Sequence, residues 1–202
     1  MKKRVDLPEK KYEGYIFDLD GTLVDSMPLH YRAWREALAR AGAPDHVFRT
    51  DEFYSCGGKS ANDVVRFLNE RYGMHMDAES TAADKRRIYL EMLEKEGMQP
   101  IQEVVEFVHS LGDAPKAIAT GSAMPGASRT LAAAGLSGLF DVILTPDEVE
   151  HGKPAPDMFL KAAELLGESP DRCVVFEDAE PGMKAAAAAG MDCIQVRRPS
   201  LA

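Results

Sequence analysis

Cysteine, basic charge and long apolar runs are all scarce in this sequence. Its three cysteines, Cys56, Cys173 and Cys193, are odd in number, widely spaced and in no Cys-x-x-Cys arrangement, which points to a reducing compartment. Lysine and arginine together number 24 against 33 aspartates and glutamates, a formal net charge of -9. That deficit argues against a nucleic-acid backbone or an anionic membrane as partner, because both need a basic face. No apolar run approaches the ~18 residues of a membrane span. The basic Met1-Lys2-Lys3-Arg4 is followed by Val5-Asp6-Leu7-Pro8-Glu9 and not by an apolar signal core, so a cytoplasmic location is expected. No internal repeat is visible.

What is present is a chain of 202 residues with 45% hydrophobic composition, enough for one generous domain or a core with a modest insertion. The run Tyr15-Ile16-Phe17 ends in two carboxylates one residue apart, Asp18 and Asp20, followed by Gly21 and Thr22. In an extended strand such a pair shares a face, roughly 7 Å apart, and outlines a site for a divalent cation. Gly21 permits a sharp turn, and Thr22 offers a hydroxyl and an N-H.

Beyond this strand, apolar residues recur at helical spacing. Leu29, Ala33, Trp34, Ala37, Leu38 and Ala41 form one stripe between Pro28 and Gly42. A second helix opens at Ser60, carries Val64, Val65, Leu68 and Tyr72, and stops at Gly73; a third runs from about Thr81 to Gly97. From Pro100 onward the pattern becomes an alternation of helix and short apolar strand, with strands at 117–120, 142–144, 173–176 and 193–196 and helices between them. The expectation is an α/β fold: a doubly wound, parallel, five-stranded sheet with a Rossmann-like core (residues 1–23 and 97–202), and a small all-α cap (24–96) inserted after the first strand.

In a doubly wound sheet the carboxyl ends of the strands converge on one edge, where ligands bind. Here those ends carry Asp18 and Asp20, then Thr120-Gly121-Ser122, then Lys153 after a short loop, then Glu177-Asp178. An acidic group with no histidine or cysteine cluster selects a hard cation, so Mg²⁺ is the expected metal and Zn²⁺ is not. Thr120 with the N-H groups of Gly121 and Ser122 is suited to phosphoryl oxygens, and Lys153 supplies a balancing positive charge.

Through Phe17-Asp18-Leu19-Asp20-Gly21-Thr22-Leu23, Thr120-Gly121-Ser122, Lys153-Pro154-Ala155-Pro156-Asp157 and Phe176-Glu177-Asp178, the chain resembles the haloacid dehalogenase-like superfamily. The helical insertion resembles the cap of the subgroup that includes β-phosphoglucomutase and the sugar-phosphate phosphatases. The segments Pro28 to Trp34 and Val174 to Gly190 look most like fructose-1-phosphate phosphatase-like members. The resemblance implies that Asp18 is a nucleophile forming an aspartyl-phosphate, and that Asp20 protonates the leaving alkoxide and then activates water. It further implies that Mg²⁺ is held by Asp18, the backbone carbonyl of Asp20 and Asp178, with Glu177 beside them directly or through water. Thr120 and Lys153 would hold the phosphoryl group.

The substrate so implied is a small phosphomonoester, a sugar phosphate above all. Dehalogenating members lack a carboxylate at the position of Asp20, so carbon-halogen cleavage is not expected. Phosphonate cleavage would require a cap lysine, for which Lys59 and Lys85 qualify by type alone. Gly58-Lys59-Ser60 mimics a nucleotide-binding loop, but Phe53 stands where that loop requires glycine. Within the cap, His30, Lys59 and Ser60 are the candidate substrate contacts. β-Phosphoglucomutase-like chains carry an arginine where Ser60 stands and a lysine after the next helix, whereas Met74 to Asp77 offers none. Hydrolysis is therefore expected over mutase chemistry, which is the alternative. A phospho-accepting signalling module, which also gathers carboxylates, a hydroxyl and a lysine at a sheet edge, is the reading from another class.

Overall fold

The computed structural model describes residues 4–57 and 59–197; residues 1–3, 58 and 198–202 lie outside the described residues. Five strands, β1 (Gly14–Phe17), β2 (Lys116–Ala119), β3 (Val142–Leu144), β4 (Cys173–Glu177) and β5 (Asp192–Gln195), form one sheet in the order β3-β2-β1-β4-β5. All pairings are parallel. The chain runs outward from β1 through β2 to β3 and returns to β1's other side for β4 and β5. The strand order therefore reverses at β1, the point at which open α/β sheets leave a crevice for ligands. The expected fold class stands.

Period-two alternation then decides which side chains meet. Tyr15 and Phe17 face one side with Ile118, Val174 and Phe176, where Phe17 stacks on Phe176 at 4.6 Å between ring centroids. Ile16 faces the other side with Ala117, Ala119 and Val175. Continuing that alternation by one step puts Asp18 beyond Ile16 and Glu177 beyond Val175, on the same side. The register Phe17 beside Phe176, extended by the Asp18 N-H donating to Phe176 O at 2.9 Å, places the two carboxylates level.

Between β1 and β2 come α1 (Met27–Arg40), α2 (Thr50–Ser55), α3 (Ala61–Tyr72), α4 (Ala78–Glu96) and α5 (Gln102–Ser110). After β2 follow α6 (Met124–Ala133), α7 (Asp157–Leu166) and α8 (Glu180–Ala188), each between successive strands. Trp34 and Leu38 of α1 pack with Phe48, Phe53, Val64, Val65 and Leu68 into an apolar cluster within the inserted helices. The opposite stripe of α1, Leu29, Ala33 and Ala37, joins Ile88, Tyr89 and Leu93 of α4 in the cluster that covers the Phe17 side of the sheet. So α1 is buried on two sides. None of the helices in the described residues is long and apolar enough to cross a membrane.

Among the described residues, the short 3-10 turns Pro146–Glu148 and Pro170–Arg172 have no counterpart in the sequence reading, and nor does helix α2. Six residues give no periodic stripe, and its Glu52 is buried by tertiary contacts that composition does not reveal. The Glu52 carboxylate accepts the Phe48 N-H (3.0 Å) and the Tyr72 hydroxyl (2.9 Å) and lies 2.8 Å from the Arg71 guanidinium.

Candidate active site

Asp18 follows β1 directly and is 6% exposed; Asp178, 5% exposed, follows β4. With Glu177 they place carboxylate oxygens within 4.8 Å of one another. Lys153 arrives from the loop after β3 and donates to Asp18 Oδ1 at 2.6 Å and Glu177 Oε2 at 2.7 Å. The other Glu177 oxygen, Oε1, accepts the backbone N-H groups of Asp178 (3.1 Å) and Ala179 (3.0 Å). Both oxygens of Glu177 are thus engaged by protein donors.

Burial, then the Glu177 charge, pushes the Asp18 carboxyl well above the usual carboxylate range; Lys153 opposes the shift, and Asp178 and Asp20 add to it. Burial works against the charge of Lys153 too, but the Asp18 and Glu177 carboxylates beside it win and hold it protonated. Three carboxylates facing one ammonium leave an excess of negative charge in a place with little water. That is the electrostatic demand of a dication, and an all-oxygen donor set suits Mg²⁺. The backbone makes room for this arrangement. Gly21 lies at φ +93°, and a Cβ there would come within 2.5 Å of Asp178 Oδ2, so the turn can pass close to the acidic cluster only as glycine.

Asp20 has different company. Its Oδ1 accepts from the Ser26 hydroxyl at 2.6 Å and lies 3.1 Å from His30 Nε2, while its Oδ2 accepts from the Ser122 hydroxyl at 2.6 Å. Burial raises its pKa, while the charge of His30 when that ring is protonated and the hydrogen bonds from His30, Ser122 and Ser26 lower it below the usual range; with the ring neutral the three hydrogen bonds alone pull it down. On the far side of the ring, Lys85 Nζ of α4 is 2.9 Å from His30 Nδ1. An ammonium donating to Nδ1 requires that nitrogen to be unprotonated, so the arrangement specifies a neutral imidazole with its hydrogen on Nε2, directed at Asp20. Burial and the Lys85 charge lower the His30 pKa, in agreement with this tautomer, although Asp20 pulls the other way.

Thr120 is fully buried at the end of β2, and its Oγ1 accepts the Ser122 N-H at 3.0 Å. Of the two amides expected to face phosphate, that of Ser122 is therefore turned inward, and the Ser122 hydroxyl goes to Asp20. Gly121 is exposed between them. The structure brings Asp18, Asp20, Ser122, Lys153, Glu177, Asp178 and His30 together. Ser60 is instead the N-cap of α3, its hydroxyl oxygen accepting the Asp63 N-H at 3.1 Å. Lys59 is exposed, with Nζ 5.8 Å from the Phe67 ring.

Sequence reasoning passed over Ser26 and gave Lys85 no role beyond its residue type. It sought a cap lysine in the stretch 74–77, whereas α4 supplies one further along. Lys85 occupies a half-buried position of a helix with a mixed surface, its Nζ lying 5.5 Å from the Trp34 ring and 5.4 Å from the Tyr89 ring. No spacing rule marks such a lysine.

The haloacid dehalogenase-like hydrolase family profile matches residues 12–190. The chain belongs to this family. It is 38% identical over 189 residues to fructose-1-phosphate phosphatase YqaB of Escherichia coli, covering 93% of this chain and 98% of that one. It is 36% identical to hexitol phosphatase A of the same organism, covering 93% and 84%. Among solved structures, β-phosphoglucomutase from Clostridium difficile superposes with a TM-score of 0.75 at 26% identity, covering 90% and 83%. The family resemblance read from the four motifs is borne out.

Proposed function

We propose that this haloacid dehalogenase-like hydrolase is a Mg²⁺-dependent phosphatase of small phosphorylated metabolites, with fructose 1-phosphate or a similar sugar phosphate as substrate. The observation that carries it is the division of labour between two carboxylates two residues apart. Asp18 is held by a lysine among acids, and Asp20 by three neutral donors. Phosphoryl transfer through an aspartyl-phosphate needs such a pair, one to attack and one to move protons. The names and high coverage of the phosphatase relatives support the same reaction class.

Asp18 is the nucleophile in this reading, and Lys153, fixed on Oδ1, sets its rotation and faces the phosphoryl charge. Asp18, Asp178 and the backbone carbonyl of Asp20 would hold Mg²⁺. Glu177, with both oxygens engaged, would act by holding Lys153 and would reach the metal only through water. The ion, when bound, supplies the positive charge that keeps Asp18 ionised and offsets the charge of the transferred group.

Asp20 must be protonated for the first step and ionised for the second. The donors around it favour the ionised form, which suits water activation. The hydroxyls of Ser26 and Ser122 can each turn from donor to acceptor once Asp20 takes up a proton, so the same shell serves both states. Thr120 and Gly121 close the phosphate side. Residues 24–96 form the cap, whose α1 and α4 reach the site through His30 and Lys85.

The deciding experiment is release of inorganic phosphate from a panel of sugar phosphates, with and without EDTA. Turnover that depends on Mg²⁺ and on Asp18 supports the proposal, and no release from any phosphomonoester would sink it. One observation favours mutase chemistry as a second reading: Lys85 places a cation in the cap beside Asp20's histidine. A coupled assay with β-glucose 1-phosphate and a bisphosphate activator separates the two. Stoichiometric phosphorylation without turnover would instead indicate a signalling module.

A further inference from the structure

Three partners locate the His30 ring. Asp20 and Lys85 take its two nitrogens, and Tyr89 takes its face. The Tyr89 ring lies 4.0 Å from the imidazole, centroid to centroid, at an interplanar angle of 8°. Tyr89 is 4% exposed, and its hydroxyl is 2.8 Å from Thr130 Oγ1, itself 2% exposed. Thr130 is on α6, the helix that follows the Thr120-Gly121-Ser122 turn. The line of contact therefore runs from a core helix, through a buried hydroxyl pair and an aromatic plane, to the imidazole that holds Asp20.

The imidazole N-H lies in the ring plane, so its bond to Asp20 weakens steeply if the ring turns about its outer torsion, which has a broad energy minimum. The nitrogen contacts fix two points on the ring edge. Hydrogen bonds tolerate a range of angles, so these two leave the ring plane room to tilt. A flat surface against one face limits that tilt, and an aromatic one is the stiffest available. Tyrosine is needed over phenylalanine because the surface must itself be fixed: the Thr130 hydroxyl ties it to the sheet-bearing part of the molecule. Stacking of this type stabilises the pair beyond the area it buries.

We propose that Tyr89, anchored by Thr130, is a positioning residue that sets the plane of His30 and thereby the aim of its N-H at Asp20. The inference rests on reading Asp20 as the acid and base of a phosphatase. It makes α4 a fixed support of the site.

The test compares two leaving groups. The alkoxide of fructose 1-phosphate needs protonation, whereas p-nitrophenolate leaves without it, so the ratio of kcat values for these two substrates reads the alignment of Asp20. Tyr89→Leu is expected to lower that ratio about tenfold, a fraction of the ~10²- to 10⁴-fold that general acid catalysis supplies. Tyr89→Phe and Thr130→Val, which keep the ring but release its anchor, are expected to lower it about twofold to threefold, within the range of one neutral hydrogen bond. Thr130→Ser should restore the ratio by returning the hydroxyl.

A purely structural role would lower both kcat values together and leave the ratio unmoved. That result, in Tyr89→Leu of normal melting temperature, overturns the proposal. Should Tyr89→Leu fail to fold, an unchanged ratio in both Tyr89→Phe and Thr130→Val overturns it equally. Failure of the underlying reading looks different: Asp20→Asn would then leave the ratio of the wild-type protein unaltered.

Discussion

Asp18 and Asp20 leave one strand two residues apart, and different parts of the molecule control them. Around Asp18 every partner comes from the carboxyl edge of the sheet: Lys153 from the loop after β3, Glu177 and Asp178 from β4 and the turn beyond it. Around Asp20, Ser122 alone comes from that edge; Ser26 and His30 open the inserted segment and Lys85 lies deep within it. The sheet edge is a balance of full charges at low exposure. The other side is a shell of hydroxyls and an imidazole. A charge at the first place is tied to the fold's topology, while the proton at the second is open to whatever the inserted helices do.

The sharpest way to break this contrast is Asp18→Asn. It removes the nucleophile while keeping the size of the side chain, and phosphate release should fall by at least ~10⁴-fold, the scale seen when a covalent nucleophile is lost. Retention of full turnover in a steady-state phosphate assay would end the covalent mechanism. Asp20→Asn comes next, with an expected loss of ~10²- to 10⁴-fold on fructose 1-phosphate and much less on p-nitrophenyl phosphate. Equal losses on both would show that Asp20 does not act through the leaving group.

A third substitution tests how tightly the charge balance is packed. A Cβ on Gly182 of α8 would stand 2.1 Å from Glu177 Oε2 and 2.2 Å from its Cδ. The carboxylate cannot simply swing away, since Lys153 and two backbone N-H groups hold it. Gly182→Ala is therefore expected to cost ~1–3 kcal/mol of stability, as overpacking does, and to reduce turnover by about tenfold through Lys153. Thermal unfolding and kcat check the two parts; a variant with both unchanged would show that the cluster is looser than drawn.

The two sides were also unequally legible in the sequence. Asp18, Lys153, Glu177 and Asp178 stand at strand ends, and strand ends can be read from apolar runs and helical spacing. Their convergence then follows from parallel connectivity alone. His30 was reachable because it sits one turn into a helix that starts just after the acidic motif. Lys85, Tyr89 and Thr130 were not, because their roles depend on how α4 lies against α1 and α6, a packing angle that no periodicity encodes. Ser60 and Lys59 are residue types that suit a ligand, and the structure shows their present surroundings: a hydroxyl that caps α3 and an exposed ammonium near the Phe67 ring. Helix α2 escaped for a related reason, since its buried Glu52 reads as a surface residue until Phe48, Arg71 and Tyr72 surround it.

The smallest expected effect bears on the inserted side and needs its sign worked out. Burial draws the Lys85 ammonium down to about 8, Arg86 adding to the shift and Asp20 opposing it. An unfolded chain binds that proton up to the ordinary value of ~10.4. Below about pH 8 both states carry the proton, and stability does not change with pH on this account. Between about 8 and ~10.4 the unfolded state holds a proton that the folded state has released, so stability rises with pH, by up to ~1.4 kcal/mol per unit. Cys173 and Cys193 act in the opposite sense, because burial first of all pushes their thiols up to about 11, so the folded state keeps protons that the unfolded state loses. The raw curve therefore mixes both. Chemical denaturation of the wild-type protein and of Lys85→Met across pH 7–10 removes the ambiguity, since the cysteines are common to the two. The wild-type protein should gain stability relative to Lys85→Met as pH passes 8, and a flat difference would mean that the ammonium beside His30 is better solvated than its burial implies.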